Sequence, residues 1–368
     1  MTKVLGFSIY PEKSTTEANI AYIDLAAKYH FKRMFTCFLS VELSKTEVFE
    51  KYQPLLLHAK KRGIETFVDV YPSFFEKMAI QLDDLSFFHE IGATGFRLDK
   101  SFSGSEESLM SYNPFGLKIE VNLSNDTSYI QNLFDYQPNP ANIVGSHNFY
   151  PQKYTGLDET FFVESTAKYH RLGLHTAAFI SSQVGTVGPW DISEGQPTLE
   201  RDRTLPIDLQ ARGLWAGSAI DDLIIGNAFA TEAELKALSE IDPSRVNLTL
   251  ETDQTLTLGT VEEQITYTEL HFQRGDISNY MVRSTTGRSK YKGQAIPQRP
   301  FAGAIQRGDV LVANSNYGIY AGELQIALKE RENDGHWNLI GKVPTIEHFL
   351  LDYITPWKKF VFRKEGLA

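Results

Sequence analysis

The sequence is poor in cysteine and contains no long apolar run. Its 368 residues include one cysteine, Cys37, which excludes an internal disulfide and favours a reducing compartment. No stretch of about 18 apolar residues occurs, so we expect no membrane span. Residues 1–6 turn polar too early for a signal peptide. These absences predict a cytoplasmic protein.

Basic residues are in deficit, and several familiar catalytic motifs are missing. The chain has 36 Lys and Arg against 46 Asp and Glu, a formal net charge of -10, so a nucleic-acid-binding face is not expected. The negative net charge does not exclude an anionic small molecule as a partner, because a few local arginines can reverse the electrostatic field in a pocket. No H-E-x-x-H, Walker A, G-x-S-x-G or close Cys–His pattern occurs, and we expect neither a metal nor a cofactor.

Short apolar runs alternate with amphipathic helical stretches through residue 242. The capping-box pairs Ser14/Glu17, Ser44/Glu47 and Thr231/Glu234 mark helix starts. Eight strands are predicted, at 4–10, 33–39, 66–71, 95–100, 117–122, 142–148, 174–181 and 223–227. A doubly wound open sheet would also alternate in this way. The count of eight and the lack of a Gly-rich turn after the first strand favour a (β/α)8 TIM barrel over residues 1–242.

The pattern changes at the turn-like segment 241–244. Long helical patterns become rare beyond it, and Gly and Pro interrupt the chain. Strands are predicted at 246–250, 255–258, 310–313 and 324–327. The sequence therefore predicts a second, smaller β-rich domain over residues 243–368.

Charged residues alternate with apolar ones in two successive barrel strands. Arg97 and Asp99 share one face of the fourth strand, as Glu120 and Asn122 share one face of the fifth. Inward carboxylates are costly to desolvate unless they are paired or working. Asp99 and Glu120 are therefore the candidate catalytic pair, since two carboxylates flanking a bond are typical of glycoside hydrolysis. The alternative is a buried ion-pair network that joins the two strands.

Other polar residues fall where a TIM barrel builds its active site, at and beyond the carboxyl ends of the strands. The segment 147–151 could orient a sugar through hydrogen bonds beside an aromatic ring, or His147 could simply cap the turn before Pro151. Arg201 and Arg203 could clamp a phosphate or carboxylate, or pair with Glu200 and Asp202. The candidate binding residues are Ser8, Tyr10, Asp69, Arg97, Asn122, His147, Asn148, Tyr150, Tyr154, Thr198, Glu200, Arg201, Arg203 and, from the second domain, Arg283.

Several segments in a fixed order resemble the bacterial 6-phospho-N-acetylmuramidase family. They are HNFYP at 147–151, YTGL at 154–157, QPTLE at 196–200, RGDV at 307–310, YAGELQ at 320–325, and LDYI at 351–354 followed by PW at 356–357. The resemblance implies a TIM barrel followed by a cyclophilin-like β-barrel domain. It also implies a cytoplasmic glycosidase of cell-wall recycling that acts on a disaccharide of 6-phospho-N-acetylmuramic acid and N-acetylglucosamine. A phosphorylated amino-sugar disaccharide is thus the expected partner.

The mechanism stays open at this point. A carboxyl separation of about 5–5.5 Å predicts retention and about 6.5–9.5 Å inversion, while attack by the sugar's own 2-acetamido group, oriented by Asp69 or Asp99, is a third route. A barrel lyase or aldolase using Lys100 or Lys118 as a Schiff base is one rival function. A non-enzymatic phosphosugar-binding protein is another, and a homo-oligomer is also left open.

Overall fold

The computed structural model describes residues 3–39, 42–125, 127–192, 194–217, 220–252 and 259–364. The chain divides into two compact units, the first made of Met1–Ala211 with Ser218–Glu240 and the second of Arg212–Gly217 with Ile241–Ala368. No helix in these described ranges is both long and apolar enough to cross a membrane.

Eight parallel strands of the first unit close into a barrel in chain order. They are β1 (Leu5–Ile9), β2 (Arg33–Cys37), β3 (Glu65–Val70), β4 (Gly95–Leu98), β5 (Lys118–Asn122), β6 (Ile143–Ser146), β7 (His175–Ile180) and β8 (Asp222–Ile225). Each overlaps one of the predicted strands in sequence, and β8 pairs with β1 to complete the ring. The TIM-barrel prediction is confirmed.

The strand register brings the charged residues of three neighbouring strands side by side. Asp69 of β3 lies opposite Arg97 of β4, and Arg97 lies opposite Glu120 of β5. Side chains at matched positions of adjacent strands point to the same face of the sheet. A carboxylate, a guanidinium and a second carboxylate therefore stand in one row inside the barrel.

Helices and short 3-10 turns connect the strands. Helix starts at Ser44 and Thr231 carry complete capping boxes, but the predicted cap at Ser14 is wrong, since Thr15 caps the first helix. Pro54 lies inside the helix Lys45–Lys61 and does not interrupt it. The helices are α1 (Thr16–Lys28), α2 (Lys45–Lys61), α3 (Pro72–Met78), α4 (Ser86–Glu90), α5 (Ser105–Met110), α6 (Tyr129–Asp135), α7 (Glu159–His170), α8 (Ile207–Gly217) and α9 (Glu232–Ser239).

The second unit is built on a seven-stranded, barrel-like sheet with the order β10-β15-β9-β14-β12-β13-β11. Its elements are β9 (Val246–Thr252), α10 (Val261–Thr268), β10 (His271–Phe272), β11 (Met281–Ser284), α11 (Thr286–Lys290), β12 (Asp309–Ala313), β13 (Leu324–Ala327), β14 (Trp337–Lys342) and β15 (Lys359–Lys364). Its core includes Ile305, Leu311 and Trp337. The strands predicted at 246–250, 310–313 and 324–327 are present, while the one at 255–258 lies outside the described residues.

Candidate active site

Arg97 is the centre of a polar cluster at the carboxyl ends of the barrel strands. Its Nη1 donates to Asp69 Oδ1 at 2.8 Å and to Asp99 Oδ1 at 3.0 Å. Its Nε donates to Ser146 Oγ at 2.8 Å, and its Nη2 donates to Asn148 Oδ1. A guanidinium with a partner at each nitrogen is held in one orientation, so Arg97 fixes the positions of both carboxylates.

Asp69 and Asp99 share one nitrogen of Arg97. Their oxygens, bound to that nitrogen at 2.8 and 3.0 Å, are at most about 6 Å apart, which is below the separation of about 6.5–9.5 Å found in inverting glycosidases. The side chain of Asp69 is buried, at 4% exposed, whereas that of Asp99 is 24% exposed. The two acids therefore share a cation but differ in their access to water.

Burial sets the acid–base behaviour of Asp69. It raises the pKa of Asp69 to about 7 against the lowering effect of Arg97, and the charge of Asp99 acts in the same direction as burial. The same environment raises the pKa of Tyr71 to about 12, through burial and then through Asp99. A carboxyl group with a pKa near neutrality can hold a proton and release it in a reaction.

Two cavities open beside the pair and share Asp99. The smaller, of about 110 Å³, is lined by Cys37, Leu39, Asp69, Tyr71, Arg97, Asp99, Asn148, Phe149 and Trp190. The larger, of about 540 Å³, is lined by Asp99, Lys100, Ser101, Asn122, Ser124, Asn125, Thr127, Tyr129 and Phe161. The first has an aromatic wall and the second is mostly polar. Asp99 therefore borders both cavities.

Glu120 lies deeper in the barrel than Asp99. Its side chain is fully buried and accepts a hydrogen bond from Arg33 Nη2. Its other oxygen lies 3.8 Å from Arg97 Nε. Arg33 also donates to Asp222 at 2.8 Å. Glu120 is therefore part of a buried row of alternating charges, and it is not among the residues that line the two cavities.

Three other predicted residues contact the protein itself rather than a cavity. Ser8 Oγ donates to the carbonyl of Ile225 at 2.7 Å, and the Tyr10 hydroxyl donates to that of Gly226. His147 is buried, with its ring nitrogens 3.2 Å from Ser124 Oγ and 2.8 Å from Thr166 Oγ1. Burial and then the charge of Arg97 lower the pKa of His147, which favours the neutral ring.

Asn148 and Thr198 connect the site to the loop after β7. The Asn148 amide oxygen binds Arg97, and its backbone carbonyl accepts from Thr198 Oγ1 at 2.8 Å. Tyr150 follows in the same segment, and burial raises the pKa of its hydroxyl. Asn122 donates to the Asp99 carbonyl at 3.2 Å and lines the larger cavity. These contacts position Arg97 and the backbone that carries Asp99.

The charged residues of the loop after β7 bind one another. Arg203 donates to both carboxylate oxygens of Glu200, at 2.7 and 2.6 Å, and this bond lowers the Glu200 pKa to about 2. Glu200 also accepts from the backbone amide of Tyr154 at 2.8 Å, while the Tyr154 side chain is exposed. Arg201 pairs with Glu159 at 2.7 Å. Both arginines of the loop are thus paired with carboxylates of the protein, Arg203 within the loop and Arg201 with the start of α7.

Lys100 is the exposed cation beside Asp99. It lines the larger cavity, and its ammonium lies 5.3 Å from the centroid of the Tyr71 ring. Sequence analysis considered it only as a Schiff-base lysine. It also did not single out Ser124, Asn125 and Thr127, whose one signal was a run of small polar residues directly after β5.

Arg283 lies on β11 of the second unit. It donates to both carboxylate oxygens of Glu323, at 2.9 and 3.0 Å, and Glu323 also binds Arg288 at 3.2 Å. One carboxylate therefore serves two arginines. Among the described residues of both units, no three His, Cys, Asp or Glu side chains gather in a way that could hold a metal ion.

An eight-stranded barrel with a polar Asp–Arg–Asp cluster at the carboxyl ends of its strands is the arrangement of a TIM-barrel enzyme. The sequence profile for the N-terminal region of 6-phospho-N-acetylmuramidase matches residues 5–240, and the profile for the C-terminal region matches residues 248–363. The chain therefore belongs to the 6-phospho-N-acetylmuramidase family and is a glycosidase.

Two solved structures share this fold over nearly the whole chain. An uncharacterized B. cereus protein is 44% identical, with a TM-score of 0.90 over 99% of this chain and 100% of its own. A conserved protein of unknown function from Enterococcus faecalis is 24% identical and shares the fold, with a TM-score of 0.71 over 99% of this chain and 97% of its own. No curated protein shows a significant sequence match.

Proposed function

We propose that the chain hydrolyses the glycosidic bond between 6-phospho-N-acetylmuramic acid and N-acetylglucosamine. The observation that carries this proposal is the Asp69–Arg97–Asp99 cluster beside two cavities. Membership of the family supplies the substrate class. The geometry supplies two acids in different environments, which glycoside hydrolysis requires.

Asp69 is the general acid in this proposal and replaces Glu120 as the partner of Asp99 in the catalytic pair. Its pKa of about 7 keeps a large fraction protonated at neutral pH. In the first step the Asp69 proton moves to the glycosidic oxygen as the bond to the anomeric carbon breaks. A water molecule later adds to that carbon and returns a proton to Asp69. Glu120 lies deeper in the barrel and balances the charges of Arg33 and Arg97.

Asp99 acts on the anomeric carbon or on the group that attacks it. It is the more exposed acid of the pair and belongs to both cavities. The short separation from Asp69 leaves little room for an additional water between them, so we propose net retention. Either Asp99 attacks directly, or it orients the 2-acetamido group of the sugar for attack.

Lys100 is the proposed contact for the substrate phosphate. It adjoins Asp99 on the larger cavity, where Ser124, Asn125 and Thr127 add hydrogen-bonding groups. Arg201 and Arg203, the earlier candidates, are already engaged by Glu159 and Glu200. A single flexible ammonium beside small polar side chains suits a phosphate that enters from solvent.

The test compares hydrolysis of the phosphorylated disaccharide by four forms of the enzyme. Asp69→Asn and Asp99→Asn should each lower kcat by a factor of about 10² or more, because each removes a proton-transfer or charge-stabilising group. Lys100→Ala should raise KM for the phosphorylated substrate while changing kcat less. Lys13→Ala, which removes an exposed lysine that pairs with Asp191, is the matched control for Lys100.

Two outcomes would contradict the proposal. Normal hydrolysis by Asp69→Asn would remove Asp69 from the mechanism. A lysine adduct trapped by borohydride with substrate would instead indicate a Schiff-base lyase or aldolase, with Lys100 as the lysine beside the site.

A further inference from the structure

The second unit contains a polar cavity of about 550 Å³ whose charged lining residues are all cations. The cavity, which we name the basic cavity, is lined by Arg274, Thr285, Arg288, Ser289, Tyr291, Lys292, Gly293, Gln294, Gly318, Ile319 and Ala321. Its volume falls within the range of about 300–1,000 Å³ that is common for small-molecule sites. Such a lining stands out in a chain with a net charge of -10.

Arg288 is held rigidly in the wall of the basic cavity. Its Nη1 lies 3.2 Å from Glu323, its Nε donates to the Ile319 carbonyl at 3.2 Å, and its guanidinium lies 4.6 Å from the centroid of the Tyr320 ring. A guanidinium fixed on several sides loses little side-chain entropy when it binds a ligand. Arg288 is thus preorganised.

The acids around the basic cavity do not neutralise all of its cations. Glu323 is shared between Arg283 and Arg288, so this group of three carries an excess positive charge. Lys292 is exposed and makes no ion pair in the described part of the chain. Arg274 is paired with the exposed Asp276 through Nε and Nη2. The local field is therefore positive despite the acidic chain.

Hydroxyl groups and loop backbone complete the lining. Thr285 directly precedes α11 and Ser289 lies near its end, and both contribute hydroxyls. Gly293 and Gly318 adopt positive φ angles of 86° and 59°, which lets the two loops turn closely around the opening. Arginine, lysine and hydroxyl donors around one opening match the oxygens of a phosphate group.

We propose that the basic cavity binds a phosphate group, carried by a sugar phosphate or present as free phosphate. This site belongs to the second unit alone and is additional to the phosphate contact proposed at Lys100. It gives the second unit a ligand-binding function that does not depend on the barrel carboxylates.

The experiment is a titration of the full-length protein followed by two-dimensional amide NMR, with N-acetylglucosamine 6-phosphate, inorganic phosphate and N-acetylglucosamine as probes. We expect the two phosphate probes to shift the amide signals of Gly293 and Gly318, and the uncharged sugar to leave them unchanged. Tighter binding of the sugar phosphate than of phosphate identifies a phosphosugar as the ligand, whereas equal binding identifies free phosphate.

Variants locate the site. Arg288→Met and Lys292→Ala should each weaken the binding measured at these signals by about tenfold or more, since each removes a charge-assisted contact. Arg307→Met and Lys329→Ala, at cations that do not line the basic cavity, should leave it unchanged. The signals should still shift in Lys100→Ala, which separates this site from the barrel.

Unchanged Gly293 and Gly318 signals at high phosphate, or equal affinity in Arg288→Met and the unmodified protein, would overturn this inference. Neither result bears on hydrolysis. Failure of the proposed mechanism would instead show as normal turnover in Asp69→Asn, so the two failures can be told apart.

Discussion

The pKa of Asp69 should fall when the charge of Asp99 is removed. In the Asp99→Asn variant the amide oxygen can still accept from Arg97, so the geometry is largely kept while one negative charge is lost. At about 6 Å and an effective dielectric constant of about 20, two unit charges repel by roughly 3 kcal/mol. This energy corresponds to about two pKa units.

Solvent reduces the expected size of this effect. The side chain of Asp99 is partly exposed, and water near it screens its charge. We therefore expect the Asp69 pKa to fall from about 7 by about one to two units. The weaker attraction of Arg97 to a neutral amide acts in the same direction, because Arg97 favours the ionised form of Asp69.

The assay is a pH titration of ¹³C-carboxyl aspartate signals, with the Asp69 signal identified by its loss in Asp69→Asn. Asp83→Asn, at an exposed loop position, is the control and should leave the Asp69 pKa unchanged. The pH dependence of kcat/KM in the unmodified enzyme should show an alkaline limb at the same pKa, because the acid must be protonated to act. An Asp69 pKa that stays constant or rises in Asp99→Asn would refute the electrostatic reasoning.

Two further predictions concern stability. Because the folded-state pKa of Asp69 is raised to about 7, the folded protein holds an extra proton between the unfolded and folded pKa values. The unmodified protein therefore loses stability as the pH rises through that window. Asp69→Asn lacks this loss, so its free energy of unfolding should gain roughly 3 kcal/mol relative to that of the unmodified protein between about pH 5 and about pH 8. A constant difference in urea unfolding across this range would contradict it. Arg212→Met should lose about 3–5 kcal/mol because it leaves the buried Glu347 without its 2.6 Å partner. Arg212→Met with Glu347→Gln should recover part of that loss in the same unfolding assay, and a loss no larger in the single variant than in the double variant would count against a buried unpaired charge.

The barrel could be predicted from sequence because its signals are local. Eight apolar runs, separated by helical patterns, specify strand–helix units, and the steric preference for right-handed crossovers between parallel strands leaves few ways to assemble them. Glycines at 63, 92 and 173 follow three helices and take the positive φ angles of 70°, 95° and 73° that a left-handed helix end requires. The helix caps at Ser44 and Thr231 could likewise be predicted from the sequence, since each cap depends on residues three positions apart.

Depth inside the barrel was decided only by the tertiary structure. Alternation in sequence assigns Asp99 and Glu120 to inward faces, but it does not give the height of each side chain along the barrel axis. That height depends on the stagger between strands, which sets Asp69 beside Arg97 and places Glu120 against Arg33, 87 positions away in the chain.

The ion-pair partners of the arginines also depend on the fold. Arginine is the residue type that suits a phosphate clamp. However, each of Arg201, Arg203 and Arg283 binds a carboxylate of the protein itself. Local sequence thus determined which residues can carry charge and where strands and helices begin. Only the closed barrel and the second sheet decided which charges meet one another and which face a cavity, because these contacts join residues that are distant in the chain.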